Sequence, residues 1–376
     1  MRKLLYFVTE DWFFVSHFLP MAQAARECGF DVVVATRAGS GGGRLAAAGL
    51  RVTPMTVERG ALSPLRGVRE FVQALRIVRA ERPSIVHCVA LRPVVIGGIA
   101  ARLGGAGALV LAPTGLGVLW LRGGPVASLL RGVVRIVVGS LLHGSRTRYL
   151  FENPDDPPEL GLDPDSPEVT IVGGAGVDPA EFPFVPEPPA PPLKVAVVAR
   201  MIRPKGIAEA VAATQRARAM GAAIELDLFG KPDPSNPLFI PSDLLQKWSA
   251  TPGIVWRGHA ADVADVWRTY HVALFLSSYR EGVPRTLLEA AAAGRPIITT
   301  DVVGCREVVR DGIEGILVPP GDIDAAAHAL IKLAEDKGMR TRMGAAANAR
   351  FRERFTVDAV KNAVRNLYRS LGSDAQ

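Results

Sequence analysis

The chain has little with which to staple itself. Three cysteines, Cys28, Cys88 and Cys305, lie scattered over 376 residues with no Cys-x-x-Cys pair. An odd, dispersed set excludes a disulfide framework and a cysteine zinc site, and fits a reducing compartment. No apolar run reaches the ~20 residues that a transmembrane helix needs; the nearest, Val126–His143, is interrupted by Arg131 and Arg135. The apolar opening Leu4–Val8 is too short for a secretory leader, runs into Glu10 and Asp11, and is predicted to be a buried first strand. There is no Walker lysine loop, no Gly-x-Gly-x-x-Gly after that strand and no Ser-His-Asp order, which disfavours a P-loop NTPase, a dinucleotide dehydrogenase and a serine hydrolase.

Lysine is almost missing from the first 150 residues: Lys3 is alone, yet the stretch holds 19 Lys and Arg against 7 Asp and Glu, a net +12. Residues 151–376 carry −5, so the chain's +7 is concentrated in one half. A basic half meets something anionic, either a phosphorylated small molecule, a membrane surface or nucleic acid. Few aromatics and no recognisable nucleic-acid module argue against the last.

Length predicts two domains, and apolar residues at 48% supply two cores. In the first half, strand signals at Leu4–Val8, Val32–Thr36 and Ile85–Val89 alternate with helical spacing at Phe18–Cys28, Val68–Ala80 and Val94–Leu103. Such alternation builds a parallel, doubly wound sheet. Seven of the fifteen residues 178–192 are proline, which reads as a stiff interdomain linker over 178–193. The pattern then restarts: strands at Lys194–Ala199, Glu225–Phe229, Ile254–Arg257, Val272–Leu276 and Pro296–Thr300, helices at Ile207–Met220, Pro284–Ala293 and Asp324–Asp336. The expected domains are 1–177 and 194–354, each α/β, with a helical tail over 355–376 that is a candidate to return to the first. Ligands in such folds sit at the carboxyl ends of the strands, here in a cleft expected between the two domains.

The segment Arg280-Glu281-Gly282-Val283-Pro284-Arg285-Thr286-Leu287-Leu288-Glu289 follows an apolar strand. Gly282 permits a turn, Pro284 suits a helix start, and Gly294 with Pro296 ends the helix. A strand–loop–helix unit of this kind offers backbone N–H groups to an anion. Its two carboxylates, Glu281 and Glu289, are each suited to a pair of adjacent sugar hydroxyls; the plain alternative is a solvated loop residue and a surface helix residue. After the first strand of the second domain, Arg200-Met-Ile-Arg203-Pro-Lys205-Gly206 places cations at a turn that opens a helix, a diphosphate site without a metal.

In the first domain, Ser16-His17 and His87 are candidates to touch a donor sugar or relay a proton, against the common structural role of a lone histidine. Thr114-Gly115-Leu116-Gly117 is a small loop after an apolar strand. Asp163-Pro-Asp165 lies in a Pro-rich loop and Asp322-Ile-Asp324 looks like a helix start with a capping Asp; neither is assigned a metal.

These residues resemble a known family. Glu281 to Glu289 with Gly282 and Pro284 matches the EGxPxxxxE signature of retaining family 4 glycosyltransferases, and Arg200 with Lys205 matches that family's RxxxxK turn. Gly294-Arg-Pro-Ile-Ile-Thr-Thr-Asp301, Gly304, Glu307 and Gly312 to Asp322 continue the likeness over most of the second domain. Phe14-Val-Ser-His17, Val86-His87, Arg92-Pro-Val-Val-Ile-Gly-Gly98, Thr114 to Gly117 and Phe151 to Asp156 resemble a narrower branch, which extends undecaprenyl-diphosphate-linked sugars; that branch usually has Thr and Lys where this chain has Ala90 and Arg92.

The resemblance implies a GT-B fold of two Rossmann-like domains, retention of configuration by front-face attack with the leaving phosphate as base, and neither metal nor other cofactor. It implies that Arg200 and Lys205 bind the diphosphate, Glu289 the ribose, and Glu281 the donor sugar, helped by the backbone at Gly282 and Val283 and by Pro284. Ser16, His17 and His87 would serve the donor from the first domain, His87 among the catalytic groups with Arg200, Lys205 and Glu281. The implied partners are a nucleotide-sugar, by branch a UDP-sugar, and a lipid-linked saccharide acceptor. The expected acceptor or lipid contacts are Arg92, Thr114, Gly115, Arg122, Arg131 and Arg135. Val118–His143 reads as an interfacial helix, with Arg66, Arg69, Arg76, Arg79 and Arg82 adding to a face on an anionic membrane, so the expected place is the cytoplasmic face of the cell membrane. The alternative is a core helix whose arginines reach solvent. The rival functions are a soluble GT-B transferase or epimerase with a small-molecule acceptor and, from another class, a non-catalytic nucleotide-sugar-binding subunit.

Overall fold

The computed structural model describes residues 2–56, 64–121, 123–234, 236–280 and 282–372. The chain divides into two compact units, 1–176 with 357–376, and 177–356.

The first unit is built on strands β1 (Arg2–Glu10), β2 (Phe30–Arg37), β3 (Arg51–Pro54), β4 (Ile85–Val89), β5 (Ala108–Ala112), β6 (Thr147–Phe151) and β7 (Val169–Ile171). They form one sheet in the order β3-β2-β1-β4-β5-β6-β7, every pair parallel. The helices are α1 (Asp11–His17), α2 (Leu19–Glu27), α3 (Gly42–Ala47), α4 (Pro64–Glu81), α5 (Leu91–Gly104), α6 (Val118–Leu121), α7 (Pro125–Ile136) and α8 (Asp156–Glu159).

Alternation along each strand feeds two cores. Leu4, Tyr6 and Val8 of β1 face one side with α1, α2 and α3, while Leu5 and Phe7 face the other with α4, α5 and the end of α7. The central strands are buried on both faces, as a covered parallel sheet requires, while the edge strand β3 is largely exposed.

The second unit repeats the plan with β8 (Leu193–Val198), β9 (Ile224–Phe229), β10 (Ile254–Gly258), β11 (Val272–Phe275), β12 (Ile297–Thr300) and β13 (Gly315–Val318), in the order β10-β9-β8-β11-β12-β13. These pairs too are parallel. Its helices are α9 (Ile207–Ala219), α10 (Ser242–Ser249), α11 (Val263–Thr269), α12 (Arg285–Ala292), α13 (Cys305–Val308), α14 (Ile323–Glu335) and α15 (Lys337–Arg354).

The last helix, α16 (Val357–Gly372), belongs to the first unit. It buries Val360, Val364, Leu367, Tyr368 and Leu371 against β1 and α2. Lys361 and Arg365 both bond the carboxylate of Glu27, at 2.5 and 3.0 Å.

Two expectations change. The proline-rich stretch is no free tether but lies along the second unit. The Arg295 guanidinium, 1% exposed, donates to the carbonyls of Val185 and Pro186 at 3.0 and 3.1 Å. Arg340 forks onto Glu187 at 2.9 and 3.1 Å. Buried arginines hold backbone that proline leaves without N–H donors of its own. The expected interfacial helix Val118–His143 is broken into α6, α7 and a π-helical turn at Val137–Leu141; Gly124, at φ +95°, ends any continuous helix from α6.

Candidate functional site

In both units the strand order reverses direction next to a central pair, β1/β4 and β8/β11. Such a switch point leaves a crevice at the carboxyl ends of the two strands, because their loops run to opposite sides.

In the second unit, the loop after β8 carries Arg200 to Gly206 and the loop after β11 carries Leu276 to Pro284. The two loops are stitched at one carbonyl: Ser277 Oγ and Ser278 N–H donate to Pro204 O at 3.1 and 3.0 Å. Gly206 makes the approach possible. It sits at φ +72°, and a Cβ there would lie 1.9 Å from the Leu276 carbonyl oxygen. The stitching brings Lys205 over two ring faces, with Nζ 5.2 Å from the Phe275 centroid and 5.5 Å from that of Tyr279. Ring faces position an ammonium without neutralising it.

Arg200 NH1 lies 3.5 Å from Asp233 Oδ2 with 42% of its side chain exposed. Such a pair is loose and solvated, so the guanidinium remains accessible to an anion. Backbone bonds from Arg203 N–H to Leu238 O (2.8 Å) and Ile240 N–H to Met201 O (2.8 Å) brace this turn.

Glu281 lies outside the described residues. Gly282, Val283 and Pro284 lead into α12; Val283 is buried, and Pro284 is the residue before the helix, at φ −65° and ψ 116°. Among the described residues the N-cap Pro284 makes no side-chain cap and no acidic residue lies in the first turn of α12, a helix end whose dipole favours an anion. Glu289 is 8% exposed. Burial pushes its carboxyl above the usual range, and Arg285 opposes that shift, donating Nε–H to Oε1 at 2.8 Å. This single bond engages Oε1 and leaves Oε2 for a second donor. Arg285 was given no role on sequence grounds, although its i, i+4 spacing to Glu289 is a signal.

In the first unit, α1 leaves the carboxyl end of β1 and ends in Ser16 and His17, both half-buried. Ser16 Oγ lies 2.6 Å from His17 Nδ1 and donates to Phe13 O at 3.0 Å; the His17 ring stacks on Phe13 at 4.4 Å. Thr114 and Gly115 form a loop at the carboxyl end of β5, with Leu116 buried as its anchor. Arg92, in the first turn of α5, donates from Nε and NH2 to Glu70 at 2.9 and 2.6 Å, so most of its charge is answered within the protein. Ala90, at φ +72°, caps that helix, a conformation that costs a non-glycine residue energy. Arg131 is half-buried, Arg135 exposed, and Arg122 lies outside the described residues.

His87 is placed otherwise than a catalytic group requires. Strand parity turns it to the same side as Ile85 and Val89, under α16. It is 0% exposed, stacked on Tyr6 at 4.6 Å, and Nδ1 bonds the Tyr368 hydroxyl at 2.8 Å. Burial pulls its pKa down to about 3. It is a neutral core residue.

Comparison with known proteins follows the same division. Residues 3–151 match the family model described as "Glycosyl transferase 4-like" and residues 192–336 the one described as "Glycosyl transferases group 1". The chain is 26% identical over 182 residues, 48% of its length, to the capsular polysaccharide biosynthesis glycosyltransferase CapM of Staphylococcus aureus. That match spans 47% of CapM, and the match to the glycogen synthase of Mycobacterium tuberculosis spans 48% of it; the chain thus spans about half the length of these curated relatives. Among solved structures, Anabaena HepE in complex with UDP-glucose superposes with a TM-score of 0.74 at 16% identity, covering 98% of this chain and 100% of that one. The sucrose-phosphate synthase of Thermosynechococcus elongatus superposes with a TM-score of 0.79 at 18% identity, covering both chains entirely. The fold is that of the GT-B glycosyltransferases, and the chain carries glycosyltransferase family regions in both units.

Proposed function

We propose that this glycosyltransferase-family chain is a retaining enzyme that moves a sugar from a nucleotide-sugar, a UDP-sugar by its branch, to a polyprenyl-diphosphate-linked saccharide in polysaccharide assembly. The observation that carries it is the stitched pair of loops at the β8/β11 switch point, which holds Lys205 over Phe275 and Tyr279 on one loop's turn while the other loop leads into α12 and its buried Glu289. HepE, a protein of the same fold, is known with UDP-glucose bound, which supports the donor class.

In this reading the acceptor hydroxyl forms a bond to the anomeric carbon as the bond to the donor phosphate breaks. The electron pair leaves with the diphosphate, which takes the hydroxyl proton on the same face. Charge grows on the diphosphate, and Arg200, Lys205 and the positive end of α12 are fixed where it grows. Those cations replace a metal. Glu289 holds the ribose through Oε2, Glu281 the sugar, and Ser16 and His17 serve the donor from the first unit. Arg92, Thr114 and Gly115 lie at carboxyl ends of the first sheet, where an acceptor would be held. The enzyme works on the cytoplasmic face of the cell membrane as a peripheral protein; among the described residues no helix is long and apolar enough to cross one.

The test is transfer of labelled sugar from a panel of UDP-, GDP- and ADP-sugars to membrane lipid extract and to soluble acceptors. Label in the lipid fraction with a UDP-sugar is expected. Transfer to soluble acceptors alone overturns the lipid-linked acceptor, and no binding of any nucleotide overturns the whole reading.

A further inference from the structure

The first unit carries an apolar face that its own core does not use. Ala127 of α7 and Val138 of the π-helical turn that follows it are buried. Val126, Leu129, Leu130, Val133 and Ile136 recur at helical spacing on another side, and Val126, Leu129 and Ile136 are each at least 64% exposed. A surface helix of a soluble domain puts charge on that side; α7 puts branched aliphatic residues there, and Leu141 extends the stripe at 59% exposure.

A second helix does the same on the same side of the sheet. Ala74, Ile77 and Val78 of α4 enter the core that receives Val138. Outward, Leu65 and Val68 are 75% and 59% exposed, among the exposed Arg66, Arg69, Arg76 and Arg79. Both helices begin at the carboxyl edge of the sheet, since each follows a parallel strand and leads back to the next. The exposed Leu65 and Val68 of α4 lie near that edge, while the α7 stripe runs from Val126 at the helix start to Ile136 at its end.

Charge names the occupant. Residues 82–151 contain eight arginines and not one Asp or Glu. A protein partner would meet this surface with mixed charge and shape, whereas aliphatic side chains standing among arginines suit acyl chains beneath anionic headgroups. We infer that the outer faces of α7 and α4 form a two-part footing on an anionic bilayer, with Val126, Leu129, Leu130, Val133 and Ile136 immersed and the α4 arginines at headgroup level. This deepens the membrane-bound reading above, to which it gives a surface: the outer faces of two helices that cover the same side of the first sheet.

The experiment is co-sedimentation of the full chain with vesicles of phosphatidylglycerol and of phosphatidylcholine, at low and high salt. The parent is expected to bind the anionic vesicles and to weaken as salt rises. The double variant Leu129→Glu/Val133→Glu is expected to lose ~10-fold or more in affinity at every salt concentration, with its far-ultraviolet dichroism unchanged. Arg66→Glu/Arg69→Glu is expected to lose binding at low salt and to flatten the salt dependence. Met220→Glu, at an exposed apolar position of the second unit, is expected to bind like the parent. Parent protein that ignores anionic vesicles, or a Leu129→Glu/Val133→Glu variant that binds like the parent, overturns the footing. So does a dimer in light scattering that this double variant dissolves, for then a second copy covers the stripe. Vesicle binding without any nucleotide-sugar binding leaves the footing standing and removes the proposed function; sugar transfer to a detergent-soluble acceptor, equal in parent and variant, separates the two the other way.

Discussion

Arg285 and Glu289 stand one helical turn apart on α12, and the arginine Nε–H is bonded to Oε1 at 2.8 Å. The arginine lies in the first turn, where the helix dipole disfavours a cation, so its place is justified by its partner. The carboxylate is buried, burial raises its pKa, and Arg285 counters part of the rise. A carboxyl whose folded pKa lies above its unfolded value is held protonated by the fold, so folding favours it less as pH rises through that window. In the proposed reading the ionised form of Glu289 is the one that accepts ribose hydroxyls.

Arg285→Met should therefore move the protonation of Glu289 to higher pH. The expected outcome is a KM for donor that climbs as pH is lowered, from a higher starting pH than in the parent. The loss near neutrality is about tenfold, the size of one charge-assisted hydrogen bond. Arg285→Lys should restore much of it, and Glu289→Gln should abolish the pH dependence in both backgrounds. Parallel pH profiles for parent and Arg285→Met would show that the pair only packs.

Lys205 carries a sharper prediction. It is held over Phe275 and Tyr279, so Lys205→Ala removes a charge fixed toward the leaving diphosphate while leaving the rings to pack. The expected loss is about 100- to 1000-fold in kcat, as for the removal of a single preorganised group, with a smaller change in KM. In the proposed reading fixed cations stand in for a metal, so a chelator should leave the parent rate unchanged. A rate that collapses with chelator and returns with magnesium would reassign the charge stabilisation.

Gly206 is the joint of the site. Its Cβ would sit 1.9 Å from Leu276 O and its φ is +72°, so Gly206→Ala must push the β8 and β11 loops apart or strain both. A cost of about 2–4 kcal/mol is expected from a clash with backbone and a special φ together. Loss of nucleotide binding should accompany it, read by denaturation and by calorimetry with UDP. A variant with parent stability and parent affinity would mean the loops adapt elsewhere.

The donor half was legible because its signals are local. A strand, a glycine-proline turn and an alanine helix follow one another directly in β11 and α12, and the turn that carries Arg200 and Lys205 directly follows β8. What failed to show was long-range. Strand parity said that His87 faces one side of β4, but not that Tyr368, 281 residues away, would cover it. The prolines of 178–192 predicted stiffness, and only Arg295 and Arg340, more than a hundred residues further on, decide that the stretch is pinned. Arg92 was expected to contact an acceptor or lipid, and its pairing with Glu70 was not legible because Glu70 belongs to another helix. The stretch Val118–His143 was rightly seen as apolar with arginines, yet the turn at Gly124 and the side on which α7 is exposed depend on its packing against the sheet.

His87 gives the prediction that needs no substrate. It is wholly buried, burial lowers its pKa from 6.5 to about 3, and Nε2 has no hydrogen-bond partner among the described residues. The unfolded chain binds a proton at this residue through the acid range while the folded chain does not. Stability from neutral His87 is therefore complete above the unfolded pKa and is lost as pH falls toward the folded one. At about 1.4 kcal/mol per unit, the effect reaches ~5 kcal/mol if fully expressed. His87→Phe keeps a ring against Tyr6 and leaves Tyr368 bonded to the Tyr6 hydroxyl at 2.5 Å, but it cannot titrate. Urea denaturation from about pH 7 to about pH 4 should then show the parent losing stability faster than His87→Phe, the gap widening as pH falls. If the two fall in parallel, His87 titrates alike in both states, and its burial is relieved by water reaching Nε2.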